Sequence, residues 1–204
     1  MKKLLAILFA VAVFVPAAQA YDYTLGGQLG YGYNKEKKAG VSENYHGLTV
    51  APEFAVLLKD DVNAGLGLKY NYRRADNVAG ADHLHTFGTY LFGEKAVLSV
   101  GALKVFLRAD VGYETSKWKS NSDPRAHAYY AQVSPNVQYP LTERLTLTLS
   151  SDVLTLGVNH VKAGSAKSTK LGFNAGRNNI LQGGYNSYGG SGWDAIRVGL
   201  KYAF

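Results

Sequence analysis

From about Tyr23 onward, apolar and polar residues alternate with a period of two, the repeat of a β-strand with one face apolar. In residues 196–204, Ile196, Val198, Leu200, Tyr202 and Phe204 fall on one face, and Arg197, Gly199, Lys201 and Ala203 on the other. In 23–33, Tyr23, Leu25, Leu29, Tyr31 and Tyr33 oppose Thr24, Gly26, Gln28, Gly30 and Gly32. Similar segments at 46–58, 62–72, 84–92, 100–113, 127–139 and 145–161 bring the total to eight predicted strands. A strand of about ten residues, rising about 3.3 Å each and tilted about 45°, covers roughly 25 Å, the apolar height of a membrane barrel.

Predicted connections alternate in length. Residues 59–61, 93–97 and 140–144 are short, whereas 34–45, 73–83, 115–126 and 162–192 are long. Short turns at one end and long loops at the other describe an up-and-down barrel, with both termini at the short-turn end. The expected fold class is therefore all-β: an eight-stranded antiparallel up-and-down transmembrane β-barrel. Tyr31, Tyr33, Tyr70, Tyr72, Tyr113 and Tyr129 then gather near the loop end, and Tyr23, Tyr139, Tyr202 and Phe204 near the turn end, as two aromatic girdles.

Three places leave the pattern unsettled. In the fourth strand, Phe87 and Leu91 or Tyr90 and Phe92 could face outward, so its register stays open. The seventh strand changes phase between Leu149 and Leu154, which a bulge near 150–152 would reconcile. Pro52 and Pro135 sit inside predicted strands, where the missing N–H predicts a bulge or local strain.

The first twenty residues have a different character. Lys2 and Lys3 precede an unbroken apolar run, residues 4–15, and then Pro16 and Ala18-Gln19-Ala20, the pattern of a cleaved secretory signal peptide. Residues 1–20 are expected to be removed and 21–204 to form the barrel. No later segment approaches the roughly 20 apolar residues of a membrane-spanning helix. The chain lacks cysteine, so no disulfide framework supports it after export.

An eight-stranded barrel is just wide enough for its own side chains to fill. The charged residues on the predicted inner face are Glu53, Lys69, Arg108, Asp110, Arg197 and Lys201, and they predict a closed, salt-bridged lumen. A conducting channel is the alternative. Glu53 and Asp110 do not imply hydrolysis, because barrel interiors balance acids against such cations. His46, His83, His85, His127 and His160 all fall near the outer rim, without a spacing that marks a metal site. His160, Ser165 and Ser168 come nearest to a nucleophile with its base, and no acid lies close in sequence to orient them.

Counting Lys and Arg against Asp and Glu, the long connections carry +1, 0, +2 and +4 in chain order, a total of +7. The chain from Tyr21 onward carries only +5. Positive charge is thus concentrated at the loop end, where lysine and arginine suit phosphate and carboxylate groups. Lys117, Lys119, Arg125, Lys162, Lys167, Lys170 and Arg177 are the candidate contacts for such anions. Nucleic acid is an unsuitable partner, because the charge is dispersed and no binding motif accompanies it.

The segments V-A-P-E-F and V-S-P-N-V, L-G-L-K-Y-N-Y and the terminal V-G-L-K-Y-A-F resemble those of small eight-stranded outer-membrane barrels of the OmpX and OmpA transmembrane type, especially a Bacteroidota-like branch. The resemblance covers the chain after the signal peptide. It implies the outer membrane of a diderm bacterium, and partners in outer-membrane lipid, lipopolysaccharide and the barrel-assembly machinery, with a host or surface ligand as a further candidate. Leu200, Tyr202 and Phe204 match the family's assembly signal. The family brings no catalytic residues and no cofactor. Its members are structural, adhesive or stress-associated, and a branch similar to OmpW passes small hydrophobic compounds. The expected function is therefore envelope structure and surface contact through basic loops, with a narrow channel as the alternative and a lipid A-modifying enzyme third.

Overall fold

The computed structural model describes residues 22–38, 41–59, 61–76, 83–118, 125–151, 154–163, 166–175 and 196–204. Ten strand segments follow one another: β1 (Tyr23–Lys38), β2 (Val41–Lys59), β3 (Val62–Asp76), β4 (His83–Val100), β5 (Leu103–Trp118), β6 (Ala126–Pro140), β7 (Leu145–Ser151), β8 (Leu154–Ala163), β9 (Ala166–Ala175) and β10 (Ile196–Ala203). From β1 to β6 each pairs antiparallel with the next. β7 and β8 are successive parts of one strand, both laid against β6. β9 pairs with β8 and β10 with β7, so together they supply the eighth strand. β10 also pairs with β1, from Thr24 opposite Ala203 to Gly30 opposite Arg197, and this ladder closes the barrel. The fold is the eight-stranded antiparallel up-and-down barrel that the alternation predicts.

The strands run further than the pattern implied, because cross-strand pairing continues beyond the apolar stretch. The β1–β2 ladder extends to Lys38 opposite Val41, so most of 34–45 is strand. The expected long loop at 162–192 begins instead with the end of β8 and all of β9. The expected turn at 93–97 is also strand, and the chain reverses at 101–102. Gly101 has φ +59° there, a left-handed conformation that glycine adopts without steric cost.

β4 settles its register with Tyr90 and Phe92 buried inside and Phe87 and Leu91 exposed outside. The phase of the seventh strand does change. Asn136 pairs with Ser150, and Val133 with Leu156, so three steps along β6 face six along the other strand. Pro135 lies opposite this irregularity. Pro52 does not mark one: Val50 opposite Tyr70 and Glu53 opposite Gly67 keep the same register across it.

Burial is inverted relative to a soluble protein. Leu29, Leu91, Val111 and Val198 are at least half exposed on the outside, while Gln28, Glu53, Glu94, Arg108, Asn136 and Thr148 are buried within. Three inward glycines face aromatic partners directly across the ladder: Gly65 opposite Phe92, Gly67 opposite Tyr90 and Gly112 opposite Tyr130. A Cβ on Gly67 would run into the Tyr90 ring, and one on Gly112 would lie 2.5 Å from the Tyr130 hydroxyl. Each ring therefore uses the space that its partner leaves open. Ala55, Tyr90 and Phe92, with Tyr130 against them, form the apolar part of the interior.

Candidate functional site

Alternation sends the polar face of every strand to one axis, and the charges meet there. Arg108 on β5 is the hub. Its Nη2 donates to Glu53 Oε1 at 2.8 Å and its Nη1 to Glu53 Oε2 at 3.2 Å, while its Nε donates to Asp110 Oδ1 at 2.9 Å. The guanidinium carbon lies 3.9 Å from the centroid of the Phe92 ring, which adds a cation–π contact. Glu53 also accepts from Gln28 Nε2 at 3.1 Å and from the Tyr90 hydroxyl at 2.8 Å, and Ser150 donates to Gln28 Oε1 at 2.7 Å.

Glu94 anchors a second cluster nearer the turn end. Its carboxylate accepts from Asn63 Nδ2 at 3.0 Å, Gln138 Nε2 at 2.9 Å, Asn136 Nδ2 at 3.3 Å and Lys201 Nζ. The link to Lys201 ties the closing strand β10 across the lumen to β4. A third pair, Lys69 Nζ with Glu114 Oε1 at 2.8 Å, lies in the remaining lumen.

Lys69, Arg108, Arg197 and Lys201 are four cations, and Glu53, Glu94, Asp110 and Glu114 are four anions, so this set has no net charge. Removing a partner from such a buried pair leaves an uncompensated charge, which costs about 3–5 kcal/mol. The space left among Gln28, Glu53, Tyr90, Arg108, Tyr130 and Arg197 is a cavity of about 20 Å³, enough for about one water molecule. The described side chains thus occupy most of the lumen around Arg108.

The structure brings Glu53, Arg108 and Asp110 into one cluster, Lys201 into a second and Lys69 into a third, with Arg197 lining the cavity. Sequence reasoning missed Glu94 and Glu114. The expected turn at 93–97 takes in Glu94, although Tyr90, Phe92 and Glu94 keep the alternation that carries it inside. Glu114 lies one inward step beyond the point where β5 was expected to end.

The outer rim has a pattern of its own. Tyr31 with His46, Tyr70 with His85, Tyr72 with His83, and Tyr113 with His127 each join a phenol oxygen to an imidazole Nδ1, at 2.9, 2.9, 2.8 and 2.6 Å. In every pair the residues sit diagonally across one ladder, where long side chains reach each other. His160 Nδ1 lies 2.7 Å from Thr169 Oγ1. Ser168 is in β9 opposite Val161, and Ser165 lies outside the described residues. Among the described residues, no three His, Cys, Asp or Glu side chains cluster to hold a metal ion.

Of the candidate anion contacts, Lys117, Lys162 and Lys167 are exposed in strands instead of loops, and Arg125 is exposed just before β6. Lys170 falls in β9 opposite Asn159. Lys119, Arg177 and the signal segment 1–20 lie outside the described residues. At the other end, Phe204 donates its N–H to the Tyr23 carbonyl at 3.2 Å, and the two rings stack at 5.0 Å. Tyr202 meets Phe204 edge-on at 5.1 Å, while Leu200 is exposed on the same outer face.

No family model matches the chain, and no curated protein matches its sequence. Among solved structures, the barrel is similar to Neisserial surface protein A. The likeness to the crystal structure of NspA has a TM-score of 0.51 and covers 90% of this chain and 97% of that one, at 12% identity. At that identity, what NspA and this chain share is the small closed barrel itself. The site residues are argued from their own geometry.

Proposed function

We propose that the chain is a non-enzymatic, non-conducting outer-membrane barrel of a diderm bacterium, serving envelope structure and surface contact through its basic outer rim. The observation that carries this reading is the pairing of an apolar, exposed exterior with a filled, charge-balanced interior. Leucines and valines ring the outside where lipid would sit, and tyrosines flank them. Inside, the space beside the Arg108 cluster holds about one water, which favours a closed lumen over a path for a hydrated ion or a hydrophobic solute. The similarity to NspA, by name a surface protein, supports the same address.

The test is single-channel conductance of the refolded chain in planar bilayers, with heat-modifiable gel mobility as the check on folding. A folded barrel that stays electrically silent is the expected result. Discrete, reproducible openings from it would overturn the non-conducting reading and make the lumen around Arg108 the functional site.

A further inference from the structure

The outward face of the rim carries cations in register. Thr115 on β5 lies opposite His127 on β6, His127 opposite Lys162 on β8, and Lys162 opposite Lys167 on β9. His85 on β4 lies opposite Lys117 on β5. The last rung between β5 and β6 is Ser116 opposite Ala126, so Arg125 falls one step beyond it, beside Lys117. Register partners share a face, and this face continues downward into Phe87, Val111, Tyr129 and Val158 of the exposed apolar band. Thr115 and His160 separate Lys117 and Lys162 from Tyr113 and Val158, so these cations stand one outward position above the aromatic and apolar band.

Two features make the row unlike an ordinary solvated surface. Lys162 and Lys167 are like charges directly opposite each other, an arrangement that weakens a strand pair unless an anion lies between them. Among the described residues, no carboxylate bonds to Lys117, Lys162 or Lys167, and the described outward positions at this end of β4, β5, β6, β8 and β9 include no Asp or Glu. In addition, the Tyr113 hydroxyl holds His127 through Nδ1. With that hydroxyl donating, Nε2 carries the ring proton and can donate to an oxygen.

We infer that the outward rim of β4, β5, β6, β8 and β9, with Lys117, Lys162 and Lys167 at its centre and His85, Arg125 and His127 beside them, binds the phosphate groups of an outer-leaflet glycolipid. The acyl chains of that lipid would lie along the apolar band below. The inference rests on the reading of the chain as an outer-membrane barrel and adds a ligand class and a site to it. Charge complementarity selects the occupant: a row of cations bordered by apolar surface fits an amphiphile with an anionic head. A free anion would gain nothing from the surface below.

The test places the refolded chain in phosphocholine nanodiscs containing bis-phosphorylated lipid A or the same lipid dephosphorylated, and counts retained lipids by native mass spectrometry. The phosphorylated lipid is expected to be retained preferentially. The triple substitution K117Q/K162Q/K167Q, at exposed positions, is expected to lower its apparent affinity on the order of 100-fold, since each cation near an anionic surface contributes about 1 kcal/mol. Equal retention of the two lipids, or unchanged binding by the triple variant, would overturn the inference. Full displacement by inorganic phosphate at matched concentration would overturn the lipid as occupant. A chain that fails to insert and shows no heat-modifiable form would overturn the barrel reading itself, whereas a folded barrel indifferent to phosphate overturns only this site.

Discussion

Arg108 and Glu53 sit three strands apart around the barrel and grip each other with two hydrogen bonds, at 2.8 and 3.2 Å. The fork geometry fixes both side chains, and Asp110 and Phe92 hold the guanidinium from its other sides. Arg108→Leu would leave two buried carboxylates facing an apolar side chain, with an expected loss of about 3–5 kcal/mol. Glu53→Gln is expected to cost less, because Arg108 keeps Asp110. The urea midpoint of the heat-modifiable band in detergent micelles measures both. Equal midpoints for the two variants would contradict the hub role given to Arg108.

Gly67 and Tyr90 make a second prediction independent of charge. The Tyr90 ring lies where a Gly67 side chain would be, and its hydroxyl donates to Glu53. Gly67→Val must therefore push the ring aside and remove a donor from a buried carboxylate. Overpacking costs about 1–3 kcal/mol, and the lost hydrogen bond to a charge about 1.5–3 more. Pairing Gly67→Val with Tyr90→Ala should recover the overpacking part and leave the hydrogen-bond part. An unfolding comparison of the two single variants with the double reads this directly.

Much of the architecture was legible because the pleat writes itself into the sequence with period two. Leu25 and Leu29 against Gly26 and Gln28, or Leu66 and Leu68 against Gly65 and Gly67, declare both faces at once. Where it failed, both faces carried similar residues. Around Tyr90 and Leu91 each alternative set was apolar, and the choice fell to the glycines across the ladder, whose open space accepts Tyr90 and Phe92 inside. Glu94 was missed for a related reason, since a charge beside Gly93 and Lys95 reads locally as a turn. Only the barrel shows that Asn63, Asn136, Gln138 and Lys201 converge on it. The lysines of the rim were visible as charge but not as a row, because register between distant strands such as β6, β8 and β9 depends on the irregularity near Ser151.

Phe204 closes the chain by stacking on Tyr23 and hydrogen bonding to its carbonyl, yet its side chain remains more than half exposed. An exposed ring contributes little to the finished barrel, about 0.5–1.5 kcal/mol for the aromatic pair. Phe204→Ala should therefore refold in detergent with a small loss of stability. Insertion in cells is expected to fall far more, several-fold in the folded fraction of the outer membrane, if Leu200, Tyr202 and Phe204 are read by the assembly machinery. Parallel losses in detergent and in cells would assign Phe204 to stacking alone.

The Lys162–Lys167 pair sets stability against binding in a way that separates a ligand site from an incidental charge. Lys167→Glu turns a like-charge rung into an opposite-charge one, which is expected to stabilise the β8–β9 hairpin by about 0.2–1 kcal/mol in zwitterionic micelles. Added salt should shrink that gain, because the pair is exposed. The same substitution places a carboxylate in the row proposed to meet lipid phosphate, so retention of bis-phosphorylated lipid A should fall even as the hairpin becomes more stable. Hydrogen exchange across β8 and β9 reports the first effect, and native mass spectrometry the second. If stability and lipid retention rise together, the lysines are not facing phosphate.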